Sequence, residues 1–137
     1  MIVVLTGKFA AGKGTVADRL MALGYRYHSL SDILREELAA RGVEEGRDAL
    51  REIGNELRQA GGPGALARRL LDRLSDGGNH IVDSIRNPAE VVELRHVEGF
   101  VLVAVDAPAR VRFERLRARD RIGDPETWEA FQEMEAA

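Results

Sequence analysis

Short apolar runs alternate along the chain with stretches whose apolar residues recur at helical spacing. Residues 2–5 form a continuous apolar, β-branched run, which is the pattern of a strand covered on both faces of a parallel sheet. A glycine-rich segment follows, and from Lys13 onward the apolar spacing is helical until Gly24. The opening therefore predicts a strand, a glycine loop and a helix.

The same alternation continues to the end of the chain. We predict strands at residues 25–29, 80–83 and 100–105, and helices at 32–40 (capped by Ser31), around 50–57 and 66–74, from 87, from 107 to about 119, and from 124 to the end. Strands alternating with helices predict a three-layer α/β fold, a parallel sheet flanked by helices. We expect a single domain over residues 1–137, with a helical insert at about 31–75.

Composition narrows the class of protein. A chain of 137 residues that is 45% hydrophobic supports one modest core, and its net charge of −3 argues against a surface for nucleic acid or for an anionic membrane. The absence of cysteine excludes disulfides, thiolate zinc sites and a cysteine nucleophile. We therefore expect a cytoplasmic protein with a small-molecule substrate, no nucleic-acid partner and no membrane partner.

The segment from Gly7 to Thr15 has the spacing of a P-loop between a strand and a helix. Its backbone N–H groups would cradle phosphates, with Lys13 reaching the transferred phosphate. The sequence has eighteen arginines and only two lysines, both in this loop, which supports a need for an ammonium at Lys13; an arginine-favouring codon bias is the alternative. The alternative is a glycine-rich turn without a ligand. The predicted nucleotide-binding residues are Gly7, Ala10, Ala11, Gly12, Lys13, Gly14 and Thr15.

The Gly-Lys-Gly-Thr ending of the loop resembles adenylate kinase and its nucleoside monophosphate kinase relatives. Residues 29–35, 82–87, 112–116 and 119–125 resemble a group of archaeal and bacterial kinase-like proteins, and the P-loop domain attached to some deoxycytidylate deaminases. With the loop, these segments are spread along nearly the whole chain, from residue 7 to residue 125. The resemblance implies a P-loop NTPase fold that uses ATP and Mg²⁺, with a helical acceptor-binding insert and an arginine-rich lid at about 117–127.

The resemblance also implies roles for individual residues. Ser31 and Arg35 would hold the acceptor nucleotide, and Arg86 would bind its phosphate and take part in catalysis. Asp83 would hold Mg²⁺ through water, and the Thr15 hydroxyl is the other candidate metal ligand, although Gly14 stands where a serine or threonine usually follows the lysine. The implied catalytic residues are Lys13, Arg86, Arg115, Arg119 and Arg121.

Ordinary structural roles remain open for several of these residues. Arg35 suits the solvated face of a capped helix, and Asp83 suits a strand end. Six arginines lie between residues 110 and 121, with Arg112, Arg115 and Arg119 on one helical face, and a solvated helix has the same pattern. Phosphoryl transfer nevertheless favours mobile cations around the developing charge.

These features favour ATP-dependent phosphoryl transfer to a nucleoside or deoxynucleoside monophosphate. The Asn-Lys-x-Asp motif of GTPases is absent from the sequence, and Ser84 stands where a motor ATPase would place a glutamate. The alternative is a non-catalytic nucleotide-binding module, or a fragment of a larger nucleotide-metabolism protein. The family's final strand and helix are missing from the sequence, so we expect a homodimer, or a fused or partner domain, to complete the sheet.

Overall fold

The computed structural model describes residues 1–121 and 123–136. Its strands are β1 (Ile2–Thr6), β2 (Arg26–Ser29), β3 (His80–Asp83) and β4 (Phe100–Ala104), in the order β2-β3-β1-β4, and all pairs are parallel. The helices are α1 (Lys13–Ala22), α2 (Leu30–Ala40), α3 (Arg47–Gly61), α4 (Ala65–Arg68), α5 (Leu71–Leu74), α6 (Pro88–Leu94), α7 (Ala109–Arg119) and α8 (Trp128–Ala136). The predicted parallel sheet flanked by helices is confirmed.

Strand β1 is central and lies between two helical layers. Ile2 and Val4 pack into a large core with helices of the insert, whereas Val3 and Leu5 pack against α1. All four side chains are at most 5% exposed. The continuous apolar run of this strand therefore reflects burial on both faces, as expected for a parallel sheet.

The structure corrects three predicted helix boundaries. Helix α2 begins at Leu30, and its cap is Ser29 rather than Ser31, because the Ser29 hydroxyl oxygen accepts a hydrogen bond from the Ser31 N–H at 3.2 Å. The helix predicted around residues 66–74 is divided into α4 and α5. The last helix begins at Trp128, where the Thr127 hydroxyl accepts from the Ala130 N–H at 3.1 Å, rather than at residue 124.

Helices α7 and α8 pack together through an aromatic cluster. Phe113, Leu116 and Phe131 are buried, and Trp128 packs beside them. Arg112 is only 4% exposed, forms an ion pair with Glu135 and donates to the Ala107 carbonyl at 3.0 Å. The solvated face considered for this helix is therefore wrong at Arg112, whose charge stabilises the α7–α8 contact.

Strand β4 forms one edge of the sheet. Val101 and Leu102 on this strand are both 39% exposed, in contrast to the buried apolar residues of β1.

No helix within residues 1–121 and 123–136 is both long and apolar enough to cross a membrane. Ile122 of the predicted lid and Ala137, the end of the predicted domain, lie outside the described residues.

Candidate active site

The glycine loop between β1 and α1 adopts backbone conformations that favour glycine. Gly7 has a φ of +154°, and a Cβ atom there would lie 2.3 Å from the carbonyl oxygen of Val105. Gly12 has a φ of +112°, and Ala10 adopts a positive φ of 58°. Close approach of the loop to the end of β4 therefore requires glycine at position 7.

The N-terminus of α1 points out of this loop with unsatisfied donors. Its N-cap, Gly12, provides no side-chain cap, so the first N–H groups remain available to an anion. The Lys13 ammonium folds back and donates to the Gly7 carbonyl at 2.7 Å. Gly14 has open space around its Cα, and Thr15 is exposed in the first helical turn. These groups together can hold phosphate oxygens.

Arg115 links the loop to helix α7. Its Nη1 donates to the Ala10 carbonyl oxygen at 2.9 Å, across 105 positions of sequence. The predicted catalytic arginine therefore already contacts the predicted phosphate loop. In the present conformation this contact fixes the loop, and a bound phosphoryl group would compete for the same guanidinium.

Polar side chains also meet at the carboxyl ends of β2 and β3. The Tyr27 hydroxyl donates to Asp83 Oδ2 at 2.8 Å, and the Ser84 N–H donates to Asp83 Oδ1 at 2.8 Å. Burial, followed by this bond to the carboxylate, raises the pKa of Tyr27 above its ordinary value. The Ser29 and Ser84 hydroxyls lie 2.7 Å apart.

Thr15 and Asp83 are suitable donors for Mg²⁺. No group of three acidic or histidine side chains with metal-binding geometry occurs in residues 1–121 and 123–136. Magnesium at a nucleotide site, however, commonly takes one or two protein oxygens and completes its shell with phosphate and water. One hydroxyl and one carboxylate therefore fit the ion, and both assignments stay predictions.

A cleft of about 1040 Å³ opens between the glycine loop, the helical insert and the region predicted as the lid. Ser31, Arg86 and Arg119, all predicted site residues, line it. Its apolar lining includes Phe9 and Leu34. The structure thus brings three elements that are distant in sequence to one cavity beside the loop, at the end of the sheet where open α/β folds bind ligands.

Helix α3 supplies polar cleft residues that the sequence analysis missed. These polar residues follow one another at helix positions i, i+4, i+8 and i+11, counted from Arg47. This spacing places them within about 80° of arc around the helix axis. This stripe runs beside the apolar stripe of Leu50, Ile53 and Leu57, so the amphipathic pattern already contained the signal. The residues are Arg47, Arg51, Asn55 and Arg58.

Two predicted site residues take other positions. Arg35 does not line the cleft among the described residues, and its guanidinium donates to Asp32 at 2.9 Å and to Glu45 at 2.8 Å. Arg121 is exposed, and its backbone N–H donates to Asp124 at 3.3 Å. Arg119 binds both oxygens of Asp124, at 2.8 and 2.9 Å. Arg35 and Arg119 would therefore have to leave carboxylate partners to bind an anion.

Comparison with known families finds relatives over nearly the whole chain. A family model described as an AAA domain matches residues 3–133. The UPF0200 protein of Pyrococcus horikoshii is 36% identical to this chain over an alignment of 138 residues. The alignment covers 96% of this chain and 74% of the relative. The UPF0200 protein of Thermococcus gammatolerans is 36% identical over 142 residues, covering 98% and 75% of the two chains.

Solved structures with the same fold include kinases. TT1252 from Thermus thermophilus aligns with a TM-score of 0.63 and 24% identity, covering 99% of this chain and 78% of its own. A shikimate kinase from Bacteroides thetaiotaomicron gives 0.56 and 17%, covering 99% and 77%. A gluconokinase from Sinorhizobium meliloti gives 0.54 and 17%, covering 98% and 72%. At these identities the likeness shows a shared P-loop kinase-like fold.

Proposed function

Because the chain belongs to the UPF0200 protein family and to the AAA domain family, with a P-loop kinase-like fold, we propose that it is a phosphotransferase. It would pass the γ-phosphoryl group of ATP to a nucleoside or deoxynucleoside monophosphate. The observation that carries this proposal is the arginine-lined cleft that opens directly beside the phosphate loop.

The nucleotide side of the reaction rests on the loop. Backbone N–H groups and the positive end of the α1 dipole bind the β- and γ-phosphates, and Lys13 exchanges its bond to Gly7 for a phosphate oxygen. Thr15 and Asp83 would hold Mg²⁺, which would neutralise phosphate charge when bound. Because phosphoryl transfer needs positioning and charge stabilisation rather than a covalent intermediate, these groups are sufficient on this side.

The acceptor side rests on the free cations of the cleft. Among the described residues, neither Arg47 nor Arg86 forms an ion pair, so both guanidinium groups are available to an anion. Guanidinium groups match phosphate oxygens in geometry and charge. The apolar lining, including Leu34 and Leu50, suits the nonpolar surface of a sugar and base. A monophosphate ester presents both kinds of surface.

Transfer is favoured over hydrolysis by the polar groups at the end of β3. Ser84 follows Asp83, and its hydroxyl is occupied by Ser29 at 2.7 Å. A hydroxyl in this position is a weak base, whereas a glutamate would activate water. The site is therefore better arranged to present a bound acceptor than to generate a hydroxide nucleophile.

A second candidate is a nucleotide-binding module that acts through a partner. The exposed Val101 and Leu102 at the edge strand β4 favour it, since exposed apolar strand edges are sites of association. A second copy of the chain, or a fused or separate domain, would then extend the sheet. A concentration series by analytical ultracentrifugation, with Leu102→Lys as the disrupting variant, tests for self-association.

A coupled assay of ADP formation over a panel of nucleoside and deoxynucleoside monophosphates tests the enzymatic proposal. We expect acceptor-dependent turnover that Lys13→Ala abolishes. Lys8→Ala is the matched control, since Lys8 is exposed in the same loop and should retain activity. ATP binding without acceptor-dependent ADP formation would refute phosphotransfer and favour the regulatory module.

A further inference from the structure

A fully buried carboxylate lies behind the cleft wall. Glu90 on α6 is 0% exposed. Its Oε1 accepts from the Arg86 N–H at 2.6 Å and from the Asn87 N–H at 3.1 Å. Its other oxygen, Oε2, has no hydrogen-bond partner within the described residues and faces Arg58, whose Nη2 lies 3.9 Å away. One side chain therefore connects the loop after β3 to helix α3.

Helix capping alone does not account for the charge of Glu90. Asn87 and Glu90 form a capping box at the start of α6, but that motif needs only one side-chain oxygen at position 90, and glutamine provides it equally well. Burying a carboxylate is costly unless an opposite charge compensates it. Arg58 supplies that charge, so the negative charge of Glu90 serves the contact with α3.

Arg58 reaches into the cleft across a residue without a side chain. A Cβ atom on Gly54, one turn earlier in α3, would lie 3.1 Å from Arg58 Nη1, so the guanidinium occupies the space above Gly54. Arg58 lines the cleft together with Arg86, yet its Nε is buried without a partner. The guanidinium is thus held between Glu90 and the cavity.

We propose that Glu90 is a positioning residue that sets Arg58 and Arg86 as a pair of guanidinium groups for the phosphate-monoester group of the acceptor. It fixes Arg86 through the backbone N–H, and Arg58 through opposite charge. Two guanidinium groups suit a dianion better than a monoanion, because together they offer donors and charge for several oxygens. This inference rests on the proposed function, since it assigns the acceptor subsite of the same cleft.

The test is the affinity for inorganic phosphate, measured by isothermal titration calorimetry with the loop filled by saturating ADP. Glu90→Gln keeps an oxygen for both N–H groups and removes only the charge. We expect Glu90→Gln and Arg58→Ala each to weaken phosphate binding about fivefold or more, and the double variant to bind no more weakly than Arg58→Ala alone. Glu93→Gln is the control, because Glu93 on the same helix pairs with Arg68 at 3.3 Å.

The double variant distinguishes positioning from a merely structural role. If Glu90→Gln weakens binding further in the Arg58→Ala background, or if it behaves like Glu93→Gln, the inference is overturned. If Glu90→Gln does not fold, Gly54→Ala provides the second variant. Its Cβ would lie 3.1 Å from Arg58 Nη1 and push the guanidinium aside without touching Glu90, so it should also weaken phosphate binding. Wild-type affinity in that variant contradicts the inference.

Kinetics separate this inference from the proposed function. In the coupled assay, Glu90→Gln should raise the acceptor KM by about the same factor and leave the ATP KM unchanged. A wild-type protein that binds phosphate with the expected variant pattern, but transfers to no acceptor, refutes the proposed function and leaves the subsite in place. Active wild-type protein with an unaltered acceptor KM in Glu90→Gln refutes the subsite alone.

Discussion

Replacement of Gly7 by alanine should damage the phosphate loop through a contact with backbone atoms. The new Cβ would lie 2.3 Å from the Val105 carbonyl oxygen and 3.3 Å from its carbon, at a φ of +154°. The Val105 N–H is bound to the Thr6 carbonyl at 2.8 Å, so the end of β4 cannot retreat without losing that bond. Backbone strain of about 1–3 kcal/mol and overpacking of about 1–3 kcal/mol give a loss of roughly 2–6 kcal/mol.

For a domain of this size, the loss corresponds to a decrease in Tm of about 6 °C or more. Thermal unfolding followed by circular dichroism measures the decrease in Tm. An ATP titration measures whether the altered loop still binds the nucleotide. Gly14→Ala is the matched control in the same loop, because no atom lies within 4 Å of its Cβ position. In thermal unfolding, that variant should be as stable as wild type or more stable by about 0.5–1 kcal/mol. If Gly7→Ala melts and binds ATP like wild type, the argument from close approach is refuted.

Three further predictions concern separate parts of the molecule. Arg112→Ala leaves the Glu135 carboxylate without its buried partner and should cost about 3–5 kcal/mol in urea unfolding, whereas an effect below about 1 kcal/mol would contradict this account. Burial and the adjacent His80 lower the pKa of His28 below 6.5, so the unfolded chain takes up the proton first. Stability present above pH 6.5 is then lost as the pH falls toward the folded-state pKa, and Tm measured against pH should decrease less steeply in His28→Asn. Thr15→Ala should weaken ATP binding about tenfold with Mg²⁺ but not with EDTA, Thr15→Ser should restore it, and equal affinity of Thr15→Ala and wild type with Mg²⁺ would exclude the hydroxyl as a ligand.

Local patterns predicted the sheet and the position of the glycine loop well. Strands β1 and β4 are short apolar runs, and the loop's geometry depends on glycines whose spacing is visible in the sequence. The prediction of helix boundaries that depend on side-chain hydrogen bonds was less accurate. For the start of α2, Ser29 and Ser31 are equally good caps by residue type. The choice of Ser29 depends on the direction of the chain as it leaves β2.

Contacts between distant segments were the least predictable. Arg58 and Arg112 are of a residue type that is usually exposed on helices, yet the Arg58 guanidinium lies between the buried Glu90 and the cleft, and Arg112 is buried against α8. Glu90 resembles an ordinary capping residue, and its full burial depends on α4, which packs against α6, and on the Arg58 side chain of α3. Their roles arise from tertiary packing, which amphipathic spacing does not specify.

The register of β1 has a consequence for how the chain folds. Ile2 pairs with both His80 and Phe100, so strand β1 must wait for strand β4, which is synthesised about 100 residues later, before both of its edges are paired. At about 5–20 residues per second, that delay on the ribosome is on the order of 5–20 s. Since Val105 and Arg115 form part of the wall around the glycine loop, a nascent chain completes this wall only when β4 and α7 have docked. If the loop binds ATP as proposed, protection by ATP against proteolysis would therefore mark chains that extend past α7 and not shorter precursors.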